Sequence, residues 1–75
     1  MNMQYLKADG FDAAIIGIDH FGERLIYDKT KMIEVLINQG FDYYDAIEFL
    51  EFNTWGAYVG PHTPIYLDPF IEENI

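Results

Sequence analysis

Cysteine and serine are both absent from this chain of 75 residues. Without cysteine there can be neither a disulfide framework nor a thiolate metal site, which fits a reducing compartment and makes the cytoplasm the default expectation. The usual nucleophiles of covalent catalysis are also missing, and Thr63 and the tyrosines are poor substitutes for them. These absences disfavour a nucleophilic hydrolase.

Positive charge is scarce. The chain has 4 Lys and Arg against 13 Asp and Glu, which gives a formal net charge of −9. Such a chain is repelled by phosphate backbones and by anionic lipid head groups. The composition therefore predicts neither direct nucleic-acid binding nor membrane binding, and it favours a protein partner with a basic surface.

Long apolar runs are absent as well, since no stretch approaches the roughly 18 residues of a membrane span. The N-terminus lacks the basic start and apolar run of a signal peptide. Hydrophobic residues make up 51% and aromatic residues 17% of the chain, which is too apolar for a disordered protein. We expect a single domain over 1–75, with an N-terminal arm at 1–10 and an acidic tail at 69–75.

Three short segments have the character of strands. The apolar run at 11–18 predicts the first, and the loop 19–22 and the segment 24–27 predict a hairpin with it. Gly17, inside the first strand, indicates a bulge or the close approach of another group. The last strand is expected at 65–68, and the pattern does not show which strand it pairs with.

The first helix is predicted over 31–39. Thr30 is the expected N-cap, because its hydroxyl can accept a hydrogen bond from a free amide of the first turn. Gly40 is the expected left-handed stop. Together these elements predict an α+β fold in the order ββααβ, with a small, mostly antiparallel three-stranded sheet packed on a helical hairpin.

The second helix has the clearest start signal in the chain. Asp42 is the expected N-cap, and Asp45 supplies negative charge in the first turn, where the helix dipole favours it. The helix is expected to end near Gly56. At 100° per residue, one side of it is predicted to face the core: Tyr43, Ala46, Leu50, Asn53 and Ala57, with Ile47 and Phe49 at the margins.

The opposite side of this helix combines carboxylates with large rings. Its residues are Tyr44, Asp45, Glu48, Glu51, Phe52 and Trp55. One interpretation is a solvated acidic surface. The other is a partner-binding face, in which the rings are anchors and the acids steer a basic protein. A homodimer formed through the exposed rings is a further hypothesis.

Mimicry of nucleic acid is a narrower form of the binding hypothesis. Acids three residues apart on a helix are separated by about 4.5 Å in rise, against about 3.4 Å per phosphate along one DNA strand. The spacing is compatible with mimicry, but the acids are spread through the whole chain.

Catalysis and metal binding find little support in the sequence. His20 and His62 are lone loop histidines without metal-ligand spacing, and no EF-hand pattern is present. The glycines form no phosphate-binding loop, and a domain of this size offers little enclosed space for shifting carboxylate pKa values. We expect no enzymatic activity, no catalytic or metal-binding residues and no cofactor.

Three segments resemble a family of short uncharacterised proteins of tailed bacteriophages. They are GFDAAIIGID at 10–19, AIEFLEFNTWGAYVG at 46–60 and TPIYLD at 63–68, so that the likeness spans about residues 10–68. The resemblance implies a phage origin and action in the cytoplasm of an infected bacterium, and it brings no site residues with it. Small acidic phage proteins often resemble, in size and charge, inhibitors that bind and disable a host enzyme or defence factor, which favours a host protein as the partner.

Overall fold

The computed structural model describes residues 5–70, and the α+β class and the ββααβ order are confirmed. A 3-10 turn precedes the first strand, and a π-helical segment continues the second helix. The elements in chain order are the turn Asp12–Ala14, β1 (Ile15–Ile18), β2 (Leu25–Asp28), α1 (Lys29–Asn38), α2 (Tyr43–Leu50), the π segment (Glu51–Trp55) and β3 (Ile65–Leu67).

The sheet is mixed, with β2 at its centre. β1 pairs with β2 in the antiparallel sense, whereas β3 pairs with β2 in the parallel sense. The predicted mostly antiparallel sheet is therefore correct for one of the two strand pairs. Parallel neighbours need a long crossover connection, and α1 and α2 provide it here.

The first strand is shorter than predicted. Residues 12–14 form a tight turn in which the amide of Ala14 donates to the carbonyl of Phe11 (2.9 Å), and the side chains of both residues are buried. Burial of Phe11 and Ala14 in the core therefore explains the apolar residues at these two positions. The register shifts between Ile15 and Gly17, so the predicted bulge is confirmed.

α1 begins two residues earlier than predicted. Its N-cap is Asp28, whose carboxylate accepts from the amides of Thr30 (2.8 Å) and Lys31 (3.3 Å), so the prediction of Thr30 as the cap was wrong. A carboxylate caps as well as a hydroxyl does and adds a favourable charge at the positive end of the helix. Gly40 has φ +108°, which confirms the left-handed stop.

Tyr27 is at the centre of the core and is fully buried. Its hydroxyl accepts a hydrogen bond from the amide of Ala8 (2.8 Å), and its ring lies 5.6 Å from that of Tyr66. Burial raises the pKa of Tyr27 above its usual value, so the phenol stays neutral around pH 7. The buried core consists of Phe11, Ala14, Leu25, Tyr27, Met32, Leu36, Ala46 and Leu50.

The two ends of the chain were predicted to be an arm and a tail. Within the arm, Tyr5 and Ala8 pack against the core, while residues 1–4 lie outside the described part. At the other end Phe70 is 87% exposed, and residues 71–75 are again outside it. No helix within 5–70 has the length and apolar character needed to cross a membrane.

Candidate interaction face

The start of α2 follows the prediction. The carboxylate of Asp42 accepts from the amide of Asp45 (2.9 Å), and this cap sets the direction in which each later side chain points. Ala46 and Leu50 are fully buried, as predicted. Tyr43 was expected on the same side, but it is 53% exposed.

After Leu50 the helix changes its period. Residues 51–55 are π-helical, and the side-chain amide of Asn53 donates to the carbonyl of Phe49 (3.0 Å). Pairing between residues i and i+5 widens the turn, so each residue advances by less than 100°. The predicted inward positions of Asn53 and Ala57 were wrong for this reason, and both residues are exposed.

Trp55 occupies a different position from the one predicted. Its ring is half-buried and packs against the core, with the indole N–H directed at Sδ of Met32 (3.4 Å). The ammonium of Lys29 lies 4.3 Å from the centroid of the ring and also bridges to Asp68 (3.2 Å). The wider π turn brings Trp55 to the same side as Leu50, so its predicted place on the outer side was wrong.

The other five predicted residues share the outer side of the helix, which we call the acidic-aromatic face: Tyr44, Asp45, Glu48, Glu51 and Phe52. All five are exposed, with Tyr44 at 80% and Phe52 at 90%. Glu48, Glu51 and Phe52 line a shallow cavity of about 260 Å³. Two rings that are almost fully in water thus flank three carboxylates.

The acids of this face form no ion pair within the described residues. Two ion pairs are found in 5–70, Lys7 with Asp12 (3.6 Å) and Lys29 with Asp68. Neither pair involves the acidic-aromatic face. Its negative charge is therefore directed at solvent, where it can attract a basic group on another molecule.

Sequence reasoning missed one residue of this surface. Tyr43 places its ring edge-on to that of Tyr44, with 5.4 Å between the centroids. The sequence could have indicated that Tyr43 is exposed, because this residue immediately follows the N-cap. Residues in the first turn of a helix have no preceding turn to cover them. The exposed aromatic surface is therefore larger at this end of α2 than predicted.

A second exposed region lies at the end of the sheet. His62 Nδ1 is 3.2 Å from the carbonyl of Glu23, and the guanidinium of Arg24 donates to the carbonyl of Thr63, so the loop before β3 lies beside the hairpin. Phe21 and Tyr58, which are 78% and 77% exposed, belong to these two loops. The sequence pattern did not indicate that they lie at the same end.

The two histidines make different contacts. His20 lies edge-on to Phe21 with 5.2 Å between the ring centroids, whereas His62 faces the Glu23 carbonyl. Within residues 5–70 no group of three or more His, Cys, Asp and Glu side chains is placed to hold a metal ion.

Comparison with known proteins found no matching family model, curated protein or solved structure.

Proposed function

We propose that this chain is a small acidic interaction protein, encoded by a phage, that binds a basic surface on a host protein and modulates or inhibits it. The observation that carries the proposal is the acidic-aromatic face. It combines two largely exposed rings with three carboxylates that form no ion pair within residues 5–70.

The two kinds of side chain have separate roles in this binding mode. Tyr44 and Phe52 supply anchors, since aromatic residues dominate the energetics of protein interfaces. Asp45, Glu48 and Glu51 speed the encounter with a basic surface and fix its orientation. The net charge of −9 acts in the same direction at longer range.

The phage origin rests on the resemblance of the three sequence segments, and the host cytoplasm follows from that origin. Absence of cysteine fits the same compartment. The net charge of −9 opposes self-association, so a host protein is favoured over a second copy as the partner.

The test is a pull-down from bacterial lysate followed by identification of the captured protein and a binding titration with it. We expect Phe52→Ala and Glu51→Lys to weaken binding by roughly tenfold or more, a loss typical of interface anchors. Phe21→Ala and Glu34→Lys are matched controls, because they make the same changes at exposed positions on the hairpin and on α1.

Equal binding by all four variants would rule out the acidic-aromatic face as the binding site. A fall in affinity with rising salt for the wild type, reduced in Glu51→Lys, would support the electrostatic part of the proposal. Light scattering of the free protein tests for a dimer. A stable dimer whose interface includes Phe52 would mean that this face binds a second copy of the chain and not a host protein.

A further inference from the structure

The shallow cavity on the acidic-aromatic face is lined, within the described residues, by Glu48, Glu51 and Phe52. Its volume of about 260 Å³ is below the roughly 300–1,000 Å³ of a typical small-molecule site. None of these lining residues is basic, so the charge of the cavity is negative. Its size and its charge together point to a single cationic side chain of a partner as the occupant.

The three lining residues are neighbours on the surface of the helix. Glu48 lies three residues before Glu51 and four residues before Phe52, and these spacings bring side chains together across one turn. Glu48 belongs to the last turn of α2, and the other two residues open the π segment. A ring that is 90% exposed therefore lies beside two carboxylates that form no ion pair within residues 5–70.

Lysine and arginine differ in how they meet such a ring and in how strongly they hold water. A lysine ammonium is a compact, strongly hydrated charge, whereas an arginine guanidinium is planar, weakly hydrated and stacks on aromatic faces. Because the cavity is shallow, it replaces little of the water that an ammonium would lose. A guanidinium can lie flat on the exposed face of Phe52 and donate from its edge to the two carboxylates.

We propose that the acidic-aromatic face recognises an arginine side chain of its partner, whose guanidinium stacks on Phe52 and donates hydrogen bonds to Glu48 and Glu51. This inference rests on the proposed function, because it names the group by which the same face binds a basic surface. Arginine is enriched among the residues that dominate interface energetics. The net charge of −9 favours the approach of a cation from longer range.

The test uses three blocked tripeptides with glycine on both sides of arginine, lysine or citrulline, which is the neutral analogue of arginine. Each peptide is titrated into the isotope-labelled full chain while amide and side-chain resonances are followed by NMR. We expect saturable shifts centred on residues 48–52. The lysine peptide should bind about threefold more weakly than the arginine peptide, which is the size of an exposed cation–π contact, and the citrulline peptide about tenfold more weakly. Equal binding of arginine and lysine, or shifts without saturation, overturns the proposal.

Phe52→Leu and Tyr44→Leu form a matched pair for the role of the ring. Each replaces an exposed ring of the same face by an aliphatic side chain, and of the two only Phe52 lines the cavity. We expect Phe52→Leu to remove the preference for arginine over lysine, since leucine has no ring face, and Tyr44→Leu to retain it. A preference that survives Phe52→Leu, or that both variants lose equally, overturns the proposal.

Glu51→Gln and Asp45→Asn form the matched pair for the carboxylates. Each removes one exposed acid of the face, and of the two only Glu51 lines the cavity. We expect Glu51→Gln to weaken binding of the arginine peptide by about threefold, as loss of an exposed ion pair does, and Asp45→Asn to change it by less than about 1.5-fold. Equal weakening by both would show general attraction to an acidic protein and would overturn the proposal. This pair keeps the proposal testable if Phe52→Leu does not fold.

Failure of this inference and failure of the proposed function give different results. Equal binding of the arginine and lysine peptides, with capture of the host protein still lost in Phe52→Ala, overturns the arginine inference alone. Capture of the host protein that is unchanged in Phe52→Ala, with the peptide preference intact, overturns the proposed function and supports the cavity as an arginine-binding site.

Discussion

At the scale of single residues, the surroundings of Trp55 differ from those of the other large ring in the same segment. It is the only tryptophan of the chain, and its ring is fixed by Met32 Sδ on one side and the Lys29 ammonium on another. Phe52, three residues earlier, has no such surroundings and is 90% exposed. The two large rings of one short segment therefore differ in environment: Trp55 packs against the core, and Phe52 is in water.

The pair Trp55→Ala and Phe52→Ala separates these roles. We expect Trp55→Ala to lower the free energy of unfolding by about 2 kcal/mol, because burial of a large apolar side chain is lost. Phe52→Ala should stay within about 0.5 kcal/mol of the wild type, as exposed substitutions do. Urea denaturation followed by circular dichroism measures both, and equal losses would contradict the assigned positions.

Asp19 stabilises the hairpin loop as a charged group. Its Oδ1 accepts from the amides of Arg24 (2.7 Å) and Glu23 (2.8 Å). The hydrogen bond from Arg24 is the main cause that lowers the pKa of Asp19, and the bond from Glu23 adds to it. A carboxylate that accepts backbone N–H bonds is stabilised in its ionised form.

This depressed pKa has a consequence for stability. The contribution of Asp19 is present above the pKa of the unfolded chain, about 4, and is lost as the pH falls through the lower folded value. We expect the unfolding free energy of the wild type to fall more steeply below about pH 4 than that of Asp19→Asn. Carboxyl carbon NMR titration checks the cause directly, since a folded pKa of Asp19 at or above the usual value would contradict it.

At the scale of elements, the helix ends are set by carboxylates. Asp28 and Asp42 occupy the two N-caps, and both accept from amides of the following turn. Sequence reasoning identified Asp42 correctly but named Thr30 as the other cap, because it did not foresee that α1 follows β2 directly and that Asp28 is the last residue of β2. Asp28 is therefore both the last residue of β2 and the N-cap of α1.

Asp28→Ala and Thr30→Ala test which residue caps α1. We expect Asp28→Ala to cost about 1 kcal/mol of unfolding free energy, as loss of an N-cap does, and Thr30→Ala to cost less than about 0.5 kcal/mol. Thermal and urea denaturation of the two variants give the comparison. A larger loss of unfolding free energy for Thr30→Ala than for Asp28→Ala would indicate that the Thr30 hydroxyl is the cap.

The π segment is the element that sequence periodicity could not predict. Its residues are compatible with an ordinary helix, and periodicity analysis assumes 100° per residue throughout. The wider turn is fixed by tertiary contacts of Trp55 with Met32 and Lys29 and by the local bond from Asn53 to the Phe49 carbonyl. Such segments are frequent at functional sites, and this one carries Glu51 and Phe52 of the acidic-aromatic face.

At the scale of the whole molecule, the net charge of −9 opposes folding through repulsion among the acids. Added salt should screen this repulsion and so weaken it. We expect the melting temperature to rise by roughly 2–4 °C between low salt and about 0.15 M NaCl, which corresponds to about 0.5 kcal/mol for a chain of this size. A calorimetric series at fixed pH measures it.

The control for this salt effect is a larger monovalent cation at the same ionic strength. Tetramethylammonium chloride should raise the melting temperature as much as NaCl does, because screening depends on ionic strength and not on the identity of the ion. A flat or falling melting temperature in both salts would show that repulsion among the acids is already offset in the fold.

The sequence by itself determined what depends on neighbours along the chain: the α+β class, the element order, the Asp42 cap, the Gly40 stop and the bulge at Gly17. It also placed five residues of the acidic-aromatic face correctly in water. Local hydrogen bonds and periodic burial encode these features within a few residues of each other.

Tertiary structure decided the parallel partner of β3 and the position of Trp55. Each of these depends on contacts between residues far apart in the chain, such as Ile26 with Ile65 and Met32 with Trp55. Periodicity reports which side of an element is apolar, but it carries no information about which distant element covers that side. Packing makes that choice, because the core must be filled at the density of a solid.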